Sequence, residues 1–194
     1  EVDYIVEFES PVEVIPPATP NEIDKKIAQL VAEQVPNGAC VQLGIGGLPN
    51  MVGTLLAESD LKDLGCQTEM MVDAYYHLYQ AGKLTCTKKG IDNGKATFAF
   101  AAGSQFLYDW MNENPFLATY AVNYTNNPYN IAANPNAVAI NNCVEVDLFG
   151  QISSESSGPR HISGTGGQLD FTTGAYMSEG GKAFICCTSS FTDK

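Results

Sequence analysis

The stretch "ACVQLGIGGLPNMVGTLLAES", residues 39–59, predicts a strand, a glycine loop and a helix in direct succession. Its first part, "ACVQLGIG", shows little alternation of polar and apolar residues, as in a parallel strand covered on both faces. The strand breaks at the glycines, and "NMVGTLLAES" is expected to form the helix. A strand followed directly by a helix is the repeating unit of α/β folds.

The same unit recurs further along the chain. "CQTEMMV" (66–72) and "KATFAFAA" (95–102) predict strands, and "YYHLYQAG" (75–82) and "SQFLYDWMNEN" (104–114) predict helices. Later, "AVAINNCVEVDLFGQI" (137–152) predicts a long strand or hairpin, "SGTGGQLDF" (163–171) a turn and "KAFICCTSS" (182–190) a final strand. We therefore expect an α/β fold with a mostly parallel sheet and flanking helices.

The N-terminal part of the sequence predicts a connection to something before it. Residues 1–18 alternate apolar and polar residues and then run into "VIPPATP", so we expect a strand and a proline-rich connector from a preceding domain. Residues 19–194 are expected to form one domain, incomplete at its C-terminus because "SSFTDK" stops without a closing element.

The first helix of this domain carries clear start and stop signals. Thr19 as N-cap, Pro20 in the first helical position and Glu22 three residues after Thr19 predict a capping box. Pro36, Asn37 and Gly38 are expected to end the helix. The residues predicted to share its apolar face are Ile23, Ile27, Leu30 and Val31.

Composition narrows the classes of partner. The net charge of −12 argues against nucleic acid and anionic membranes, which are bound through clusters of Lys and Arg. Charged residues make up only 16% of the chain, against about 25% in a typical soluble domain, so part of the surface is expected to meet another domain or subunit. With no apolar run of membrane-spanning length and no signal-peptide pattern, we expect a cytoplasmic protein.

The six cysteines include no CxxC pair and no metal-like spacing with His77 or His161. Several lie inside apolar runs such as "ACVQL" and "AFICC", which is typical of buried, reduced thiols. We therefore expect neither a disulfide nor a metal site.

The loop Gly44–Leu48 is the first candidate binding element. Its glycines would let backbone N–H groups approach a ligand closely, and the N-terminus of the following helix favours negative charge. A tight strand-to-helix turn explains the same residues equally well. A dinucleotide site is a weaker interpretation, because Asn50 stands where a third glycine is expected and no acidic residue clearly ends the second strand.

Glu69 is the main candidate for chemistry. It interrupts a predicted strand, beside Met70, Met71 and Val72, and no basic residue is near in sequence, so its charge needs compensation. The carboxyl ends of neighbouring parallel strands meet at one edge, so Glu69 could face the Gly44–Leu48 loop. A carboxylate can act as a nucleophile without a helper base. A purely structural role for Glu69 is the alternative, and Glu155 is the main competing candidate for the reactive carboxylate.

Other residues are weaker candidates. The turn Gly164–Gly167 repeats the GxGG form of the first loop and could cradle a phosphate chain or a reacting carbonyl, although a hairpin turn is the simpler interpretation. Asn126 and Asn127 could bind a ligand or simply form a turn. Residues with no visible partner pattern are expected to be structural: His77, Arg160 and His161. Glu145 and Asp147 are expected on the solvent face of a strand.

Five stretches, in order, resemble the C-terminal half of the acetyl-CoA hydrolase/transferase family, above all its butyryl-CoA:acetate and 4-hydroxybutyrate CoA-transferase members. They are "GACVQLGIGGLPN", "TEMMVDAYYHLYQAGKLT", "YAVNYTNNPY", "INNCVEVDLFGQISSESSG" and "ISGTGGQLDF…GAYMSEGGKAF". The likeness runs from about residue 20 to the end of the sequence. Members of this family are about twice as long, and their N-terminal half completes the active-site cleft.

The resemblance implies a ping-pong CoA transfer in which Glu69 forms an acyl-glutamyl anhydride and then a glutamyl-CoA thioester. It implies that CoA and the reacting oxyanion are held by Gly44, Ile45, Gly46, Gly47 and Leu48, by Gly166 and Gly167, and by Asn126. Coenzyme A is then a substrate and no cofactor is permanently bound. The implied partners are an acyl-CoA, a short-chain carboxylate, the N-terminal half of the enzyme and a second copy in a homodimer.

The sequence also departs from the family pattern. Ala74 and His77 stand where relatives often carry glycine and an acidic residue, and Asn127 stands where aspartate is common. These departures leave the acyl specificity open, with butyryl-CoA and acetate as the first candidate pair. An acyl-CoA hydrolase of the same family and a non-catalytic nucleotide-binding module are the alternative functions.

Overall fold

A computed structural model describes residues 2–16 and 19–190. Its centre is a four-stranded sheet in the order β12-β7-β1-β2, in which every pair is parallel. The strands are β1 (Cys40–Leu43), β2 (Gly65–Cys66), β7 (Ala137–Asn142) and β12 (Lys182–Cys186). β1 is buried along its whole length, as its continuous apolar sequence predicts.

Two smaller parallel pairs continue the architecture. β4 (Ala96–Phe98) pairs with β6 (Leu117–Thr119), and β3 (Met70–Met71) pairs with β5 (Phe100–Ala101). A bridge between Gln67 and Thr97 links the end of β2 to β4. The carboxyl ends of all these parallel strands therefore lead toward one edge of the fold.

Helices cover both faces of the central sheet. The larger core joins Val41, Leu43, Val138 and Ile140 to helices α1 (Glu22–Ala32), α2 (Gly47–Glu58) and α3 (Asp73–Gln80). A smaller core lies on the other face and joins Ala137 and Ala139 to Ile131, Phe171 and Ala175. Ile131 belongs to α6 (Pro128–Ala132), and Phe171 and Ala175 belong to α7 (Gln168–Met177). The predicted α/β class, with a mostly parallel sheet between helices, is confirmed.

The remaining elements are short. Two helices, α4 (Gln105–Met111) and α5 (Val122–Thr125), lie in the connections that follow β5 and β6. After β7 come two small antiparallel pairs: β8 (Glu145–Val146) with β9 (Ile152–Ser153), and β10 (Ser156–Ser157) with β11 (Arg160–His161). The predicted long element over 137–152 is therefore a buried parallel strand followed by a separate hairpin. Glu145 and Asp147 are exposed, as predicted.

The start of α1 differs from the prediction. Asn21, not Thr19, is the N-cap, and its Oδ1 accepts hydrogen bonds from the N–H groups of Ile23 and Asp24. The Asp24 carboxylate accepts in return from the Asn21 N–H, so the capping box is formed two residues later than predicted. Asn caps helices at least as well as Thr, which explains why the later signal prevails.

The predicted apolar face of α1 is also only partly right. Val31 is buried and Ile27 packs against the core, whereas Ile23 and Leu30 are both 56% exposed. Ala28, which lies between Ile27 and Val31 on the same side, is buried instead. The buried stripe is therefore narrower than the full set of apolar residues.

The prediction of a strand in residues 1–18 is wrong for the described part, residues 2–16. This segment is exposed and has no strand, although Ile15 donates its N–H to the Gly103 carbonyl and Glu13 accepts from the Tyr108 hydroxyl. Alternating residues give a strand only where a neighbouring strand is available for pairing. The predicted connector includes residues 17 and 18, which lie outside the described ranges, as does the C-terminal segment 191–194.

Within the described ranges, every helix is too short or too polar to cross a lipid bilayer.

Candidate active site

Glu69 lies in a gap between two short strands rather than inside one long strand. β2 ends at Cys66 and β3 begins at Met70, so the predicted strand over 66–72 is divided. The Glu69 carbonyl accepts hydrogen bonds from the N–H groups of Ala99 and Phe100, which fixes its backbone. The strand prediction implied a fully buried side chain, but the Glu69 side chain is half-buried.

The Glu69 carboxylate is held by a backbone N–H group. Gly167 donates its N–H to Glu69 Oε2 over 2.9 Å, although the two residues are 98 positions apart. Gly167 is the N-cap of α7, so the positive end of a helix dipole faces the carboxylate. Since no described Lys, Arg or His forms an ion pair with Glu69, this N–H is the compensation that its charge requires.

The second glycine turn brings the backbone against Glu69. A Cβ at Gly167 would lie 2.6 Å from Glu69 Oε2 and 2.6 Å from Asn126 Nδ2. Only glycine permits so close an approach of three groups. The turn continues into α7, so the simpler interpretation of residues 164–167 as a hairpin turn is wrong.

The two asparagines have different surroundings. Asn126 is buried, ends α5, and accepts a hydrogen bond at Oδ1 from the Thr125 hydroxyl over 3.0 Å. Its Nδ2 is thereby directed to the Gly167 side, next to Glu69. Asn127 instead caps α6 by accepting the Tyr129 N–H over 2.9 Å. Asn126 thus belongs to the candidate site, and Asn127 has a structural role.

The first glycine loop meets the second turn across a cleft of about 190 Å³, which we call the glycine cleft. Gly44, Ile45, Glu69 and the turn Gly164–Gly167 line it. Gly44 donates its N–H to the Ile140 carbonyl over 2.8 Å, which fixes the start of the loop on β7. Ile45 is 72% exposed at the rim.

The remaining predicted residues of this loop lie outside the glycine cleft. Gly46 is the N-cap of α2, and Gly47 faces a different cavity beside His77. The Leu48 side chain is buried in the core, so a ligand could meet this residue only through its backbone. Their predicted contact with CoA stays a prediction.

A pair of buried amides under the cleft was not predicted. Gln42 and Asn141 exchange two hydrogen bonds, of 3.0 and 2.9 Å, between the ends of β1 and β7. The Asn141 Oδ1 is so close to Gly44 that a Cβ there would lie 2.6 Å from it. The sequence does contain one signal of this pair, because Gln42 is the one polar residue in the apolar run "CVQL".

A buried lysine supports the chain just before Glu69. The Lys89 ammonium donates to the Cys66 and Lys95 carbonyls, each over 3.0 Å, and to the Thr97 hydroxyl over 2.8 Å. Lys89 is only 4% exposed, and no carboxylate forms an ion pair with it in the described ranges. Its hydrogen bonds tie the end of β2 to β4, and so fix the segment that carries Glu69.

The competing candidates do not reach the cleft. Glu155 is not among its lining residues, and its carbonyl accepts from Ile162 and Ser163 within the hairpin region. His77 packs against the rings of Tyr76 and Phe106, and Arg160 and His161 are exposed on β11.

The buried thiols are poor nucleophiles. Burial raises the pKa of Cys40 to about 12 and that of Cys86 to about 11, so both are protonated at neutral pH. Among the described residues, no three His, Cys, Asp or Glu side chains come together to hold a metal ion.

Comparison with solved structures defines the class of protein first. RipA from Yersinia pestis superimposes with a TM-score of 0.89 at 38% identity, over 98% of this chain and 43% of that one. A 4-hydroxybutyrate CoA-transferase from Porphyromonas gingivalis superimposes with a TM-score of 0.80 at 34% identity, over 93% of this chain and 42% of that one. This chain therefore has the fold of one part of these longer α/β proteins, one of which is a CoA-transferase.

Sequence comparison then gives the family. The acetyl-CoA hydrolase/transferase C-terminal domain matches residues 103–194. A butyryl-CoA:acetate CoA-transferase from Anaerostipes caccae is 54% identical over all of this chain and 44% of its own length. The chain belongs to the acetyl-CoA hydrolase/transferase family and corresponds to a C-terminal part of its members. It spans less than half the length of the curated relatives that it matches first.

Proposed function

We propose that this chain is the nucleophile-bearing part of a CoA-transferase that moves CoA between a short-chain acyl-CoA and acetate, with butyryl-CoA as the first candidate donor. One observation carries the proposal: the Glu69 carboxylate faces the glycine cleft and is held at a single oxygen by the Gly167 N–H. Because the relatives are more than twice as long, we expect other parts of the enzyme to complete this cleft.

The first half-reaction starts at Glu69. One carboxylate oxygen attacks the thioester carbonyl, the C–S bond breaks, and CoA leaves as a thiolate while an acyl-glutamyl anhydride forms. The thiolate then attacks the glutamyl carbonyl, and the donor acid leaves as a carboxylate. The product is a glutamyl-CoA thioester, and no proton is gained or lost.

The second half-reaction runs the same steps in reverse with a new acid. The acceptor carboxylate attacks the glutamyl thioester, and the thiolate that leaves then attacks the acyl carbonyl of the mixed anhydride. This releases the new acyl-CoA and restores the Glu69 carboxylate. The thioester free energy is retained throughout, provided that water is excluded.

The hydrogen bond to Gly167 supports this chemistry. When the thiolate attacks the glutamyl carbonyl, Oε2 becomes the oxyanion, and the Gly167 N–H already points at that oxygen. A donor placed in advance is typically worth about 10²–10³ in rate. Asn126 Nδ2, on the same side of Gly167 as the Glu69 carboxylate, is a candidate donor for the oxyanion of the substrate carbonyl.

The test is a peptide-mapped mass spectrum of the full-length enzyme after brief incubation with butyryl-CoA and no acceptor. We expect a CoA adduct on the peptide that contains Glu69 and its discharge by acetate. Glu69→Gln should form no adduct and lose turnover by orders of magnitude, whereas Glu58→Gln, at an exposed helix end, serves as the matched control. Bound CoA without an adduct would contradict the mechanism.

The rate of free CoA release, measured with and without acetate, separates transfer from hydrolysis. A hydrolase would release free CoA at a rate that does not rise with added acetate. The homodimeric state, the cytoplasmic location and the identity of the acyl chain stay predictions.

A further inference from the structure

A chain of buried hydrogen bonds leads from the segment before Glu69 to Asn126, and it runs through the side chain of Gln67. Gln67 is 2% exposed and lies two residues before the candidate nucleophile. Its Nε2 donates to the Thr125 carbonyl over 3.2 Å, and its Oε1 accepts from Asn134 Nδ2 over 3.1 Å. Most buried polar side chains are hydrogen-bonded, so the role of Gln67 depends on what these two bonds connect.

The partners of Gln67 determine the orientation of its amide. The Thr125 carbonyl can only accept, so the nitrogen of Gln67 must face it. Asn134 Nδ2 also donates to the Asn130 carbonyl over 3.1 Å, so its nitrogen is held on the side where it meets Gln67 Oε1. The Gln67 amide therefore makes both bonds in one orientation only and acts as a rigid link.

One end of this link is the segment that carries Glu69. A backbone bridge joins Gln67 to Thr97, and Thr68 donates its N–H to the Thr97 carbonyl over 3.0 Å. Together with the bonds that the Glu69 carbonyl accepts, these contacts fix residues 67–69 against β4 and β5. A side chain that starts from this segment is therefore held in place together with the nucleophile.

The other end of the link is the C-terminus of α5, which is followed by Asn126. α5 has only four residues, Val122–Thr125, and carbonyls in the last turn of a helix have no partner inside that helix. Gln67 supplies a donor to the last of these carbonyls, that of Thr125. The Asn126 Oδ1 accepts from the Thr125 hydroxyl, and its Nδ2 faces Gly167. So short a helix is not stable by itself, so the position of Asn126 depends on contacts such as this one.

We propose that Gln67 is a positioning residue that holds the Asn126 amide where it can stabilise the oxyanion of the substrate carbonyl. The inference rests on the proposed function, in which Asn126 is the candidate donor to that oxyanion. Gln67 does not line the glycine cleft, so it acts through Asn126 and not on the substrate. Because a donor is effective only when it is placed in advance, a displacement of about 1 Å should remove much of its contribution to the rate.

The test is Gln67→Met in the full-length enzyme, because methionine has a similar length but no donor for the Thr125 carbonyl. We expect kcat for transfer from butyryl-CoA to acetate to fall about tenfold or more, and KM for butyryl-CoA to change by less than about threefold. Ser178→Ala is the matched control, because this buried hydroxyl also makes two hydrogen bonds, to Asn134 and Ala137, at the end of β7 away from the cleft. It should lower the thermal unfolding temperature by a similar amount and leave kcat unchanged.

A double-mutant cycle shows whether Gln67 acts through Asn126. Asn126→Ala alone should lower kcat at least as far as Gln67→Met does. In the Asn126→Ala background, Gln67→Met should lower kcat by less than about twofold more, because the donor that it positions is gone. If the two losses multiply instead, Gln67 does not act through Asn126 and the inference is wrong.

A second variant covers the case in which Gln67→Met does not fold. Gln67→Asn keeps the amide but is one methylene shorter, so it cannot reach both partners and should show the same loss of kcat. A folded Gln67 variant with the kcat of the wild type would overturn the inference and leave the proposed function intact. A wild-type enzyme that transfers CoA to no acid would overturn the proposed function, and the inference with it.

Discussion

Replacing Gly167 with alanine tests whether the close contact at Glu69 is needed for catalysis. The backbone of Gly167 has φ −93° and ψ 5°, which alanine adopts without strain. The added methyl would nevertheless lie 2.6 Å from both Glu69 Oε2 and Asn126 Nδ2. Because both atoms must then move, the substitution acts on the site and not on the backbone.

The size of the effect follows from the hydrogen bond that is lost. Moving Glu69 away lengthens or breaks its 2.9 Å bond from the Gly167 N–H. Loss of one oxyanion donor typically costs about 10²–10³ in rate, and a displacement of about 1 Å has a similar effect. We therefore expect kcat to fall about a hundredfold, which corresponds to ~2.7 kcal/mol in activation free energy.

The assay is acetate-dependent consumption of butyryl-CoA by the full-length enzyme, with thermal unfolding measured in parallel. Leu169→Ala, two residues later on α7, is the control, because that side chain is 76% exposed and does not line the glycine cleft. We expect it to keep kcat within about threefold. If Gly167→Ala is as active as Leu169→Ala, the contact between Gly167 and Glu69 has no catalytic role.

Two further predictions concern stability. Lys89→Met should lower the free energy of unfolding by about 1–3 kcal/mol, because the three buried acceptors of the Lys89 ammonium lose their donor. Urea unfolding measures this change, and Lys26→Met, at an exposed position, is the control. Burial raises the pKa of Cys40 from 9.0 to about 12 and that of Cys86 to about 11, so the unfolded chain loses these protons first. Stability should therefore be retained below pH 9 and fall as the pH rises toward 12, by at most about 1.4 kcal/mol per thiol and pH unit. A Cys86→Ala variant should show a shallower fall, and a urea midpoint that stays constant from pH 8 to 11 would contradict the argument.

The parts of the fold that could be predicted are those with a strong local pattern. The run before Gly44 and the helix after it were located correctly because continuous burial and helical periodicity are both visible in sequence. Helix α7 was not predicted, because its sequence lacks such a pattern. Its buried positions are Phe171, Gly174 and Ala175, and two of these are too small to give an apolar stripe.

The site could be predicted only in its parts. Glu69 and both glycine segments stand out in sequence, but the bond from Gly167 to Glu69 joins residues 98 positions apart. The Gln42–Asn141 pair spans 99 positions. Such contacts depend on how β1, β2 and β7 line up in one sheet, and no local pattern encodes that alignment.

The way in which Glu69 is compensated explains why a half-buried carboxylate can serve as a nucleophile. A lysine or arginine partner could bind both carboxylate oxygens and draw charge from each of them. The single N–H of Gly167 binds Oε2, and no described residue donates to Oε1. One oxygen is thereby positioned while the other stays available for attack. A backbone donor is also small enough to leave space on both sides of the carboxylate, provided that the residue is glycine. The absence of a basic residue near Glu69 in the sequence thus suits the proposed chemistry.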